Sequence, residues 1–184
     1  MQIPAFTELA NKIEDILSES LDGKAHIKVY TENSEDLLDE VSIIDHQKFR
    51  ENLQYDKNEL RERFSKPGFL CMILYLDDAP TAFDYGYNNP KEATYFSDSS
   101  ATLIERKKIG RYLGLLELVY LYEKGYTALY FTTEEMDESG RPLRQIWENM
   151  GYKTVSISPD GSVDMMLEIT KEVVLRQINK TLKA

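Results

Sequence analysis

A strand–helix–strand unit set among hairpins constrains this chain more than any other feature. Residues 93–103 have the pattern of a strand. Ile109, Leu113, Leu116 and Tyr120 then fall near one helical face, and Gly125 is placed to end that helix. The next segment, YTALYFTT (126–133), is rich in β-branched and aromatic residues and reads as a buried strand. Two strands joined through a helix run parallel, whereas strands joined by short turns run antiparallel. Short turns dominate elsewhere. GFLCMILYL (68–76) is an apolar run of strand length that passes through Asp77-Asp78-Ala79-Pro80 into the alternating TAFDYGY (81–87), and Asn88-Asn89-Pro90 turns the chain again. YKTVSIS and VDMMLEI flank Pro159-Asp160-Gly161 as a further hairpin. The expected fold class is therefore α/β, an α+β mixed sheet with one parallel crossover in an otherwise antiparallel arrangement.

The remaining segments fill in around that sheet. Phe6, Leu9, Ile13, Ile16 and Leu17 predict an amphipathic helix over residues 5–20, and HIKVY (26–30) alternates as a strand. The acidic stretch 32–40 reads as a solvated loop or a poorly ordered helix. Residues 42–64 read as two short helices broken near Tyr55-Asp56 and closed by Lys66-Pro67-Gly68. Leu143, Ile146, Trp147 and Met150 mark a helix that Gly151 closes, and residues 170–184 are helical again. The reading is one domain over 1–184, with a core of about 25–169 between an N-terminal helix (1–22) and a C-terminal helix (170–184). Amphipathicity leaves two uses open for these helices, as cover for a sheet edge or as a homodimer surface.

Composition narrows the partners. The chain has 22 basic and 32 acidic residues, a net charge of −10, which disfavours a phosphate backbone and favours cationic small molecules or basic tails. Nucleic acid is therefore not an expected partner. Nor is a membrane, because the apolar runs fall far short of the ~20 residues that cross a bilayer and the N-terminus does not read as a signal peptide. The lone Cys71 fits a reducing, cytoplasmic compartment and sits in an apolar strand, where an inert buried thiol is expected. His26 and His46 lack ligand-spaced partners, so no metal is expected.

Chemistry concentrates where the third central strand meets its helix, in SSATLIERKKIGRYLGLLEL. A helix N-terminus offers unpaired N–H groups and partial positive charge to an anion, and Arg106, Lys107 and Lys108 add point charges there. A solvated basic patch is the plainer alternative. Further on, SGRPLRQIWENMGYKTVSIS runs helix, glycine, strand at close spacing. Together, and in this order, the two segments resemble the GNAT superfamily of acyl-CoA-dependent N-acyltransferases. RKKIGRYLGLLEL (106–118) is similar to the family's Arg/Gln-x-x-Gly-x-Gly/Ala loop and aliphatic helix, and GRPLRQIWENMGY (140–152) to its later Asn-to-Gly-Phe pattern.

The resemblance implies a GNAT-like fold with added terminal helices. It implies transfer of an acetyl or other acyl group from acetyl-CoA to a primary amine, on a small molecule or a peptide, by direct attack and without a metal. Ala101, Thr102 and Leu103 would present backbone groups to the pantetheine arm and acyl carbonyl. Lys107, Lys108, Ile109, Gly110 and Arg111 would surround the pyrophosphate. Three positions depart from the family pattern. Lys108 stands near its first glycine. Gly140 stands at its helix asparagine, so Ser139 or Arg141 would take over that cofactor contact. Trp147 stands at the tyrosine that protonates the departing thiolate in many members. A non-catalytic CoA-binding or regulatory module of the same fold is the alternative implied by these departures. The amine must also lose a proton, and the candidate bases are Glu134, Glu135 and Asp98. The first two also read as part of a solvated acidic loop, EEMDE, with a helix N-cap at Asp137 or Ser139, and Asp98 as a structural carboxylate. Tyr75, Tyr85, Tyr87, Tyr95 and Tyr130 read either as an aromatic acceptor pocket or as ordinary sheet residues.

Overall fold

The computed structural model describes residues 2–137 and 139–183; Met1 and Ala184, the ends of the single-domain reading, and Glu138 of the EEMDE run lie outside the described residues. Along the chain run α1 (Phe6–Leu21), β1 (Ala25–Tyr30), α2 (Glu35–Lys48), a short 3-10 turn (Glu51–Leu53), α3 (Lys57–Phe64), β2 (Leu70–Leu76), β3 (Ala79–Asn88), β4 (Thr94–Thr102), α4 (Ile109–Glu123), β5 (Ala128–Glu134), α5 (Leu143–Met150), β6 (Lys153–Ile157), β7 (Ser162–Glu168) and α6 (Lys171–Leu182). The seven strands form one sheet in the order β1-β2-β3-β4-β5-β7-β6. β4 and β5 pair in parallel and the other neighbours pair antiparallel, so the mixed α/β sheet expected from the crossover is present.

The apolar run at 68–76 is buried on both sides because each sheet face carries helices. Met72 and Leu74 join Leu9, Ile13 and Leu17 of α1, Leu113 and Leu116 of α4, and Val174 and Ile178 of α6. Cys71, Ile73 and Tyr75 meet Leu37, Leu38 and Val41 of α2 and Leu60 and Phe64 of α3 on the opposite face. The terminal helices therefore cover one face of the sheet, flanking α4. Burial holds the Cys71 thiol well above its ordinary pKa, in keeping with an inert side chain.

Two local expectations are corrected. The acidic stretch is the start of a full helix. Ser34 caps α2 by accepting the Leu37 N–H at 3.2 Å, Glu35 and Asp36 suit the positive helix end, and Leu37 and Leu38 are fully buried. The turn after β2 is two residues rather than four. Asp77 and Asp78 both take left-handed backbone (φ 49° and 66°), as the tightest hairpins require, so Ala79 and Pro80 already belong to β3. No helix of the described residues is long and apolar enough to cross a membrane.

Candidate active-site cleft between β4 and β5

The sheet splits at its centre. The parallel ladder joins Thr94–Phe96 to Ala128–Tyr130 and ends there, while β4 runs on to Thr102 beside β3, and β5 to Glu134 beside β7. A cavity of about 750 Å³ occupies the opening and reaches both faces of the sheet. Phe49, Leu53 and Tyr55 border it on the α2–α3 side, and α4, α5 and α6 border it on the other. Of the five tyrosines considered for an aromatic pocket none lines it; Tyr55 and Tyr152 do. Tyr85 and Tyr95 are fully buried in the two cores.

Along α4 the cavity wall is bare. Gly110 and Gly114, one helical turn apart, both face it, and a Cβ at either would meet nothing within 4 Å. Glycine mid-helix costs about 1 kcal/mol relative to alanine, so no packing demand inside the chain explains Gly114. The helix begins with Tyr112 N–H donating to Lys108 O at 3.0 Å, which leaves the N–H groups of Ile109, Gly110 and Arg111 projecting from its end. Lys108 itself is left-handed (φ 60°), as is Arg106 (φ 61°), in a loop where glycine would be unstrained. Lys107 turns away, its Nζ donating to the Ser20 carbonyl at the end of α1 (2.8 Å). Ala101 is buried on the α2–α3 face, and the Thr102 hydroxyl fixes the loop through Ile104. The Leu103 N–H donates to Thr81 O at 2.9 Å, so only its carbonyl is left for a ligand.

At the same rim, Arg111 and Arg141 both line the cavity. Asp137 holds Arg141 in place, its Oδ1 accepting the N–H groups of Ser139 and Arg141 at 3.0 and 2.9 Å and its Oδ2 accepting from Arg141 Nε at 2.5 Å. These bonds keep the partly covered Asp137 carboxylate down at a pKa of about 2. Ser139 is spent on the same carboxylate and stays outside the wall. Asp137 and Ser139 thus build a loop turn and not the helix cap considered for them; α5 starts after Pro142 without a side-chain cap.

The three candidate bases part company. Glu134 and Glu135 lie outside the cavity wall, half-exposed and ion-paired with Arg50 (2.9 Å) and Arg144 (3.0 Å). Asp98 lines it. β3 and β4 slip register between Tyr85–Ser99 and Gly86–Ser97, so Asp98 is the extra residue of a β-bulge at the point where the strands splay. Its carboxylate lies 3.0 Å from Arg63 Nε, and burial nonetheless raises its pKa above the ordinary value.

Two further acids were not legible as site residues. Asp84 of β3 and Glu117 of α4, both buried, enter the cavity wall at the vertex of the split, with Ser97 beside both. Burial pushes Asp84 up to about 7, and burial together with the Asp84 charge holds Glu117 well above its usual range. The one available signal was Glu117, the sole charge between Arg111 and Glu123 in a helix otherwise apolar all round. Trp147 closes the same end of the cavity, edge-on to Phe131 and Tyr152. Among the described residues there is no cluster of side chains that could hold a metal ion.

No protein-family model matches the sequence, and no curated protein sequence does either. Solved structures match in shape. The aminoglycoside 6′-N-acetyltransferase of Enterococcus faecium superposes with a TM-score of 0.66 at 15% identity, covering 78% of this chain and 97% of that one. The ribosomal-protein-S18-alanine N-acetyltransferase of Escherichia coli gives 0.63 at 14% identity, covering 78% and 94%. An N-acetyltransferase of Thermoplasma acidophilum in complex with coenzyme A gives 0.61 at 15% identity, covering 77% and 98%. With its split seven-stranded sheet and the crossover helix α4 that starts beside the opening, this chain has the GNAT N-acetyltransferase fold.

Proposed function

We propose that the protein is an acyl-CoA-dependent N-acyltransferase that moves an acetyl or other short acyl group onto a primary amine. The observation that carries this is the pair of unfilled glycines on α4, facing a cleft that opens through the sheet. The residues fit the donor along its whole length. The N–H groups of Ile109, Gly110 and Arg111 and the side chains of Lys108, Arg111 and Arg141 suit a pyrophosphate. The bare face at Gly110 and Gly114 suits a pantetheine arm lying against β4. Acetyl-CoA supplies an activated thioester at the bulge, where unpaired backbone groups of β4 are available to the acyl carbonyl.

The amine enters from the α2–α3 side past Tyr55. Asp98 faces it at the bulge and takes its proton, with the Arg63 guanidinium beside it holding the carboxylate in place. The Trp147 indole donates a hydrogen bond near the leaving sulfur and has no proton to give near neutral pH, so the thiolate is protonated from solvent. The same indole favours the second reading, a CoA-binding module without turnover.

Calorimetric titration with CoA and acetyl-CoA tests the site, and free-thiol release with a pooled amine library tests the reaction. Micromolar CoA binding is expected. Gly114→Leu, which fills the bare wall, should lower affinity more than tenfold while leaving the melting temperature unchanged or raised. Unaltered affinity would overturn the assigned cleft, and binding without thiol release across varied donors and amines would favour the module.

A further inference from the structure

The floor of the cleft has a chemistry of its own. The last β4–β5 pair is Phe96–Tyr130, and the next residue, Ser97, sits between Asp84 and Glu117, so the two acids lie where the wedge closes. From Gly110 to Glu117 along α4 is seven residues, about 10 Å at 1.5 Å per residue. The phosphate end and this floor are thus at opposite ends of the cavity. The Tyr152 phenol feels both acids, and Gln177 and Thr181 add polar side chains to a wall that also carries Trp147. Gln177 gives one of its two amide N–H donors to the Met150 carbonyl (2.5 Å). Asp84 is 5% exposed, and its Oδ1 is buried in the cavity wall with no hydrogen-bond partner. The cationic side chains in the wall, Arg111 and Arg141, belong to the rim.

An alkyl group ending here would leave that carboxyl oxygen dry and unpaired, a poor match for any acyl chain that is only hydrocarbon. A hydroxyl or an ammonium would supply the missing donor. We propose that the floor formed by Asp84, Ser97 and Glu117 is an acyl-recognition subsite that selects a short acyl group carrying a hydrogen-bond donor, a hydroxyl or a primary amine, at its far end. This rests on the acyltransferase reading and specifies its donor. Burial raises both acids above the usual carboxylate range; the unpaired Asp84 Oδ1 accepts from either substituent, and negative charge on the pair favours the ammonium further.

Three thioesters of equal size test it: butyryl-CoA, 3-hydroxypropionyl-CoA and β-alanyl-CoA, which end in CH3, OH and NH3+. Titrated calorimetrically beside free CoA, the hydroxyl and amino donors should bind about tenfold or more tighter than butyryl-CoA. Asp84→Leu should erase or reverse that order. Asp84→Asn, which keeps the shape, should abolish the advantage of β-alanyl-CoA if the leucine variant fails to fold. Equal affinities for all three, or an order that survives both variants, overturns the subsite while leaving the cleft standing through its CoA affinity. Failure of free CoA and all three thioesters to bind overturns the subsite together with the acyltransferase reading.

Discussion

Lys108 shows how one backbone angle records a site. The chain leaves β4, reverses, and enters α4 through two left-handed non-glycine residues, Arg106 and Lys108. A left-handed L-residue costs about 1 kcal/mol that glycine avoids, so a lysine held there is strained by its place in the loop. Lys108→Gly should therefore raise stability by about 1 kcal/mol in urea unfolding. A loss of stability would mean that the lysine side chain contributes more than its backbone costs. Asp84 and Glu117 mark the limit of reading residues one at a time. In TAFDYGY an aspartate alternates with aromatics and nothing says which face it takes; only the pairing of Asp84 with Ser100 and Met72 turns it toward α4. Glu134 and Glu135 show the converse, since chain position put them near a strand end while ion pairs hold them at the surface.

Element order was legible because each transition has a local cause. Gly125 and Gly151 end α4 and α5 in left-handed conformation (φ 82° and 102°), and the Pro159-Asp160-Gly161 turn separates β6 from β7. The parallel crossover followed from strand, helix and strand in series. The bulge did not, because a register slip leaves no compositional trace and depends on how β3 and β4 meet. Gly86 is where they meet. A Cβ there would fall 2.2 Å from the Phe96 carbonyl oxygen and 2.6 Å from the Tyr95 ring, and backbone cannot move aside as a flexible side chain can. Gly86→Ala should cost about 2–3 kcal/mol, at the upper end of overpacking penalties, and should loosen the bulge that presents Asp98. Thermal unfolding reads the first effect, and faster amide exchange at residues 96–99 reads the second. An alanine variant as stable and as protected as the parent would mean that the strand pair adapts without cost.

At the scale of the molecule, the buried acids tie the cleft to the stability of the whole fold. Asp84 faces Glu117 from α4, the Ser97 hydroxyl from β4, and the Tyr95 and Tyr152 phenols, with the Cys71 thiol on neighbouring β2. None of these brings a positive charge. Burial raises the Asp84 pKa from 3.8 to about 7. Between those values the unfolded chain has released the proton while the folded chain keeps it, so unfolding releases a proton and stability falls as pH rises. Glu117, also raised, acts in the same direction. Asp137, pulled down to about 2, acts oppositely but only as pH falls below the ordinary carboxylate range, outside this window. Urea unfolding at pH 5, 6.5 and 8 should therefore show the protein losing on the order of 2 kcal/mol across the series. The Asp84→Asn, Glu117→Gln double variant should lose much less and be the more stable protein at pH 8, because a buried acid replaced by a neutral isostere no longer resists ionisation. Coincident profiles for the two proteins would mean that neither acid is kept protonated by folding. The parent's excess loss at high pH would measure what the fold gives up to keep two acids at the vertex of its split sheet.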